Sequence, residues 1–149
     1  MARKQLRSFN FPDHFIRHRD FFGELTRLTS QQDIDDSLFD VVTGLADPNG
    51  ASLRSVNVPN HFLRHQNFRL KLQKMDNPND EVFRKDATFH RVRGLGDPDG
   101  VSFRSVNFPD RFIRHRDFDL FIEPNNVNSN TFAADATFFQ KDPPQKIDD

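Results

Sequence analysis

Apolar and polar positions alternate along this chain in short runs. Phe118, Leu120 and Ile122 are separated by Asp119 and Phe121, and Leu70 and Leu72 follow Arg69 and Lys71 in turn. A period of two is what puts one side of a β-strand into a core. No segment keeps a 3.6-residue period, so the pattern predicts strands and no helix beyond single turns. Arg19-Asp20, Gln66-Asn67 and Arg116-Asp117 fall between strand-like runs. They read as hairpin turns, because Asp and Asn tolerate the left-handed backbone such turns need. Asp47-Pro48-Asn49-Gly50 and Asp97-Pro98-Asp99-Gly100 suit type I turns, with Pro second and Gly fourth.

The pattern repeats three times. Leu6-Arg7-Ser8-Phe9-Asn10-Phe11-Pro12-Asp13-His14-Phe15-Ile16-Arg17-His18-Arg19-Asp20-Phe21 returns from Leu53 to Phe68 and again from Phe103 to Phe118. A second motif follows each copy: Asp36-Ser37-Leu38-Phe39, Asp86-Ala87-Thr88-Phe89 and Asp135-Ala136-Thr137-Phe138. A third, Gly44 to Gly50, recurs as Gly94 to Gly100 and links one unit to the next. The units span about 6–50, 53–99 and 103–142, so residues 1–142 read as one domain. Pro143-Pro144 opens a polar tail, 143–149, that reads as disordered. Three four-strand units in one short domain predict an all-β fold closed by threefold pseudo-symmetry, a β-trefoil; propellers use four blades or more. Closure also removes exposed sheet edges.

Composition narrows the chemistry. The 149 residues include no Cys, which excludes disulfides, thiolate metal sites and cysteine nucleophiles. A net charge of -1 argues against nucleic-acid binding, which needs a basic excess. No apolar run reaches the ~20 residues of a membrane span, and no signal-like apolar core follows Met1. The chain therefore reads as cytoplasmic as written, or as a fragment of a secreted protein. There are 18 Phe but neither Tyr nor Trp, and 19 of the 22 acidic residues are Asp. Phe carries a large apolar area, so few residues fill a core. No motif singles out a carboxylate pair for glycoside hydrolysis, and no Ser-His-Asp elbow or phosphate loop is present. Asp97-Pro98-Asp99-Gly100 is not an EF-hand, since its twelfth position is Phe108. No cofactor is implied.

Phe-Ile-Arg-His-Arg-Asp-Phe, then Asp-Ala-Thr-Phe about twenty residues on, then Gly-Leu-x-Asp, resembles the arabinofuranosidase B (AbfB) domain, carbohydrate-binding module family 42. The resemblance runs from about Leu6 to Gln140. It implies a β-trefoil with up to three pockets, one per repeat, for arabinofuranose side chains of arabinoxylan or arabinan. It also implies a non-catalytic role beside a glycosidase or other protein acting in trans. The family's pocket His and Asp map onto His65 with Asp86 and His115 with Asp135, and more weakly onto His18 with Asp36. Phe62, Phe112 and Phe15 stand at the aromatic position before each Arg-His pair and are the candidate sugar-stacking walls.

A carboxylate accepts two sugar hydroxyls, while an imidazole donates one bond and accepts another. The plainer reading is that each His pins its hairpin and each Asp caps a turn, which would leave a trefoil that serves interaction or structure. Arg17, Arg64 and Arg114, with Arg7, Arg54 and Arg104, read as partners of the many Asp residues. His14, His61 and His90 read as surface residues. Repeat 1 is expected to bind poorly, because Asp33, Asp35 and Asp40 crowd Asp36 with like charge. Threefold symmetry would hold His18, His65 and His115 too far apart to share a metal.

Overall fold

Four strands per repeat, three times over, give twelve. The computed structural model describes residues 2–144. Its strands are β1 (Ala2–Ser8), β2 (His14–Arg19), β3 (Phe22–Arg27), β4 (Leu38–Thr43), β5 (Ala51–Ser55), β6 (His61–Gln66), β7 (Arg69–Lys74), β8 (Phe89–Arg93), β9 (Val101–Ser105), β10 (Arg111–Arg116), β11 (Asp119–Pro124) and β12 (Phe138–Lys141). The pairings β1–β4–β5–β8–β9–β12 return to β1 and close a six-stranded barrel. The hairpins β2–β3, β6–β7 and β10–β11 cap one end. They meet in a triangle through Phe22↔Lys71, Phe121↔Arg69 and Asp119↔Glu24. This is the β-trefoil with three pseudo-symmetric repeats.

Equivalent positions stack in layers inside. Phe39, Phe89 and Phe138, the last residue of each Asp-to-Phe motif, are fully buried in the barrel. A phenolic hydroxyl there would need a partner that the apolar interior does not offer, so Phe suits the position. Ile16, Leu63 and Ile113 form another buried layer, and Leu25, Leu72 and Ile122 a third. On the threefold axis the layer is Gly23, Leu70 and Leu120. A Cβ on Gly23 would stand 3.0 Å from Leu70 Cβ and 3.2 Å from Leu120 Cδ1, so the axis has room for two leucines and not three.

Two details depart from the reading of the sequence. Each repeat carries a six-residue helix before its last strand: α1 (Gln31–Asp36), α2 (Glu81–Asp86) and α3 (Asn130–Asp135). Ser30, Asp80 and Ser129 cap their N-termini by accepting from the backbone N–H three residues on. Under two turns, they are too short to show a helical period. The hairpin turns also sit one residue later than expected, at Asp20-Phe21, Asn67-Phe68 and Asp117-Phe118.

The linker turn does form as read, with Gly50 N donating to Asp47 O at 2.9 Å. In repeats 2 and 3 the motif Thr holds the preceding linker: Thr88 Oγ1 accepts from Ala46 N (3.0 Å) and Thr137 Oγ1 from Gly96 N (2.8 Å). Leu38 takes that place in repeat 1, where no such loop is held among the described residues. Of the expected tail, Pro143 and Pro144 lie in irregular backbone, and residues 145–149 fall outside the described residues.

Candidate functional site

Each hairpin tip is a two-residue turn with both residues at positive φ, and the second is Phe. Phe21, Phe68 and Phe118 each have φ of 64°. Hairpins normally place Gly there, and a bulky residue in this region costs about 1–2 kcal/mol. All three rings are also exposed, Phe21 by 58%. Exposed, strained aromatics at three equivalent points make the tips candidate contact points.

Behind each tip lies the same hydrogen-bond relay. In repeat 2, Arg64 Nη2 donates to Asp86 Oδ2, and Asn107 Nδ2 donates to Asp86 Oδ1 at 2.9 Å. A carboxylate only accepts, so the carboxamide must turn its NH2 to Asp86 and its oxygen to His65. His65 Nε2 lies 2.9 Å from Asn107 Oδ1 and therefore carries the proton, which makes Nδ1 an acceptor. Repeat 3 closes the circle onto repeat 1: Arg114 to Asp135 (2.5 Å), Asn10 to Asp135 (2.8 Å), His115 to Asn10 (2.8 Å). Repeat 1 has Arg17 to Asp36 (2.6 Å), Asn57 to Asp36 (2.7 Å) and His18 to Asn57 (2.9 Å). Each site thus takes its Arg, His and Asp from one repeat and its Asn from the next.

The expected His–Asp pairs are brought together. His65 Nε2 lies 3.5 Å from Asp86, His115 Nε2 3.4 Å from Asp135, and His18 Nε2 3.5 Å from Asp36. They are largely buried, with about a tenth of each Asp side chain exposed. Each Asp is the last residue of its helix, where the backbone carbonyls point. The adjacent guanidinium offsets that repulsion. Burial lowers the pKa of His65, against the hydrogen bond to Asn107 and the charge of Asp86. Burial also lowers that of His115, against Asp135, while Arg114 and His14 push the same way as burial. Both shifts favour the neutral imidazole.

The aromatic wall is a correction. Phe62 is buried against Phe83 and Ala87, and Phe112 against Phe132 and Ala136. They lie on the strand face that packs under the helix and offer a ligand nothing. Phe15 is half-buried, since Asp33 stands where Phe83 and Phe132 stand in the other helices. The exposed rings beside the relays are instead the tip Phe and, after Asn10 and Asn107, Phe11 and Phe108; Phe118 and Phe11 border a cleft of about 300 Å³ with His115 and Asp135. Phe21 and Val58 border one of about 670 Å³ with His18 and Asp36.

His14 and His61 are not idle surface residues either. His14 stacks on Phe118 at 5.3 Å, His61 lies 5.9 Å from Phe21, and Arg111 covers Phe68 at 3.7 Å. His90 lies on the surface 3.0 Å from Asp47.

Charge crowding at Asp36 does not occur. Asp33 bonds Thr29 and Arg17, which lower its pKa to about 2, and Asp40 is held by Arg3 and Arg54. The recurrent Asn10, Asn57 and Asn107 were visible in the repeat, but their role depends on contacts across repeats.

The family model of the alpha-L-arabinofuranosidase B (ABFB) domain matches residues 4–140. The chain belongs to this family. Among solved structures, the AbfB domain resembles an arabinofuranosidase complexed with arabinofuranosyl-alpha-1,2-xylobiose, with TM-score 0.85 and 28% identity. The match covers 95% of this chain and 31% of that one, so the AbfB domain spans about a third of that enzyme's length. A GH54 arabinofuranosidase soaked with a cyclic sulfate inhibitor matches with TM-score 0.84, at the same identity and coverage. The fold alone is shared with the BEL β-trefoil, with TM-score 0.65, 18% identity and coverage of 94% of this chain and 92% of that one. No curated protein matches the sequence significantly.

Proposed function

We propose that this AbfB domain is a non-catalytic carbohydrate-binding module whose relay sites hold arabinofuranosyl groups of arabinoxylan, arabinan or a related glycan. The observation that carries this reading is the threefold Arg–Asp–Asn–His relay, set each time beneath a strained, exposed Phe. In repeats 2 and 3 the carboxylate receives one bond from Arg and one from Asn. Of its roughly four acceptor positions, two remain for the vicinal hydroxyls of a furanose. The imidazole Nδ1 accepts another hydroxyl, and the tip Phe covers the apolar ring face. A glycosidase in trans is the natural companion of such a module, which would keep the enzyme on a branched polysaccharide.

The second reading, a trefoil of interaction or structural role, draws on the same relay, because each carboxylate is already engaged by two protein donors. Titration of methyl α-L-arabinofuranoside and arabinoxylan oligosaccharides separates the two. Sugar binding requires saturable heats in the wild type. Phe118→Gly should relieve backbone strain and hold or raise Tm, yet weaken the repeat 3 site about tenfold, the loss of one good contact. No saturable binding by the wild type, or equal affinity in Phe118→Gly, would leave the interaction reading standing.

A further inference from the structure

Resting on the sugar-binding reading, we infer that repeat 1 carries a site for a two-residue neutral sugar segment, whereas the repeat 3 site takes one terminal furanose. The relay is complete in repeat 1, but its cleft holds about 670 Å³ against about 300 Å³ in repeat 3. Two changes between the repeats, one on the wall and one on the helix, account for the difference. The wall supplied by the following repeat is Val58 at site 1, where Phe11 stands at site 3. Removing the ring opens one side.

The second change is on the helix. The site 1 cleft runs on over α1 to Gln32 and Asp35, where α3 has Thr131 and Ala134, and these do not border the site 3 cleft. Gln32 lies one turn from Asp36, about 6 Å along the axis, roughly the advance of one sugar residue.

The donor set fixes the ligand class. Gln32 Nε2 donates to Asp36 Oδ1 at 2.9 Å, so Asp36 already has three donors and has room for one sugar hydroxyl rather than two. Recognition must therefore spread outward, to the Gln32 carboxamide and the Asp35 carboxylate, both of which bind hydroxyls. At the mouth Asp20 and Asp35 outnumber Arg19, which pairs with Glu24 at 3.4 Å, and Arg17 is taken up by Asp36, so the cleft disfavours uronates and other anions and the segment is uncharged. Phe21 offers a face for the second ring.

NMR titration tests this, with the amides of Phe21 and Val58 reporting site 1 and those of Phe11 and Phe118 reporting site 3. The probes are methyl α-L-arabinofuranoside, arabinobiose and arabinofuranosyl-xylobiose. At site 1 at least one two- or three-residue sugar should bind about tenfold or more tighter than the monosaccharide, while site 3 should show little preference. Val58→Phe should abolish the site 1 preference and leave site 3 unchanged. Phe already occupies this position in the other repeats, and Gln32→Ala provides a second variant that should cut the same preference. Equal affinities at site 1, a silent site 1 beside a titrating site 3, or a preference that survives both variants would overturn the inference alone. Binding at neither site would overturn the sugar-binding reading together with it.

Discussion

Repeat 1 and repeat 2 share a relay and differ in nearly everything that surrounds it. In repeat 2 the helix is anchored by apolar contact: Phe83 packs on Phe62, and Arg64 lies over the Phe83 ring. In repeat 1 the same anchor is ionic, with Asp33 replacing the Phe and bonding Arg17 at 3.1 Å. Thr88 becomes Leu38, and Leu70 becomes Gly23. Asp33 takes up the free side of Arg17, and the Arg–Asp–Asn–His hydrogen bonds recur in both repeats. Divergence from a motif therefore tells how a site is supported before it tells whether the site is intact. The consequence is that equivalent carboxylates should differ in how much the fold depends on them.

The largest test of that difference is Asp-to-Ala in each repeat. Arg64 is buried, and Asp86 is the carboxylate paired with it, Gln73 being a neutral second partner at 2.6 Å. Asp86→Ala strands that charge and should cost about 3–5 kcal/mol. Arg17 keeps Asp33, and Arg114 keeps Glu123 at 2.8 Å. Asp36→Ala and Asp135→Ala should therefore cost less, about 1.5–3 kcal/mol, the loss of hydrogen bonds to a charged group. Urea unfolding of the three variants measures this. Equal losses in all three would show that the second carboxylates carry no weight.

Next in size is the axis of the cap. Gly23→Leu would place a third leucine where two already meet and should cost about 1–3 kcal/mol by overpacking. Adding Leu70→Gly moves the gap to repeat 2 and should recover most of the loss. If the single variant is as stable as the wild type, Gly23 is a neutral difference between repeats and the axis is less tightly filled than the distances imply.

The repeats and the strand alternation were legible because they are local or recur at fixed spacing. The His–Asp pairing was legible through the family resemblance. The helices were not, since six residues cannot display a 3.6 period. The turn position was not, since residue preference argues against Phe at positive φ, yet Phe21, Phe68 and Phe118 all adopt it. The Asn was hardest to read. Asn10 recurs in sequence beside Asn57 and Asn107, but its partner His115 lies in the last repeat, and only closure of the barrel joins them.

The smallest expected effect concerns pH, and it separates the relay imidazoles from the carboxylates. Burial lowers the pKa of His65 and His115 below their value near 6.5 in the unfolded chain. Between that value and the lowered folded one, the unfolded chain binds protons that the native chain does not, so stability falls with falling pH. The contribution is whole above about pH 6.5 and shrinks below it. The carboxylates act in another window. The pKa values of Asp33, Asp40 and Glu123 are lowered in the fold, so their stabilisation persists until the pH drops below their ordinary values near 4. Between about pH 5 and 6.5 the slope thus belongs to histidines. Thermal melts across that interval should show Tm falling in the wild type and a flatter profile in the double variant His65→Gln, His115→Gln. An unchanged slope would assign it to the other histidines, and the two relay imidazoles would then be protonated in the fold without penalty.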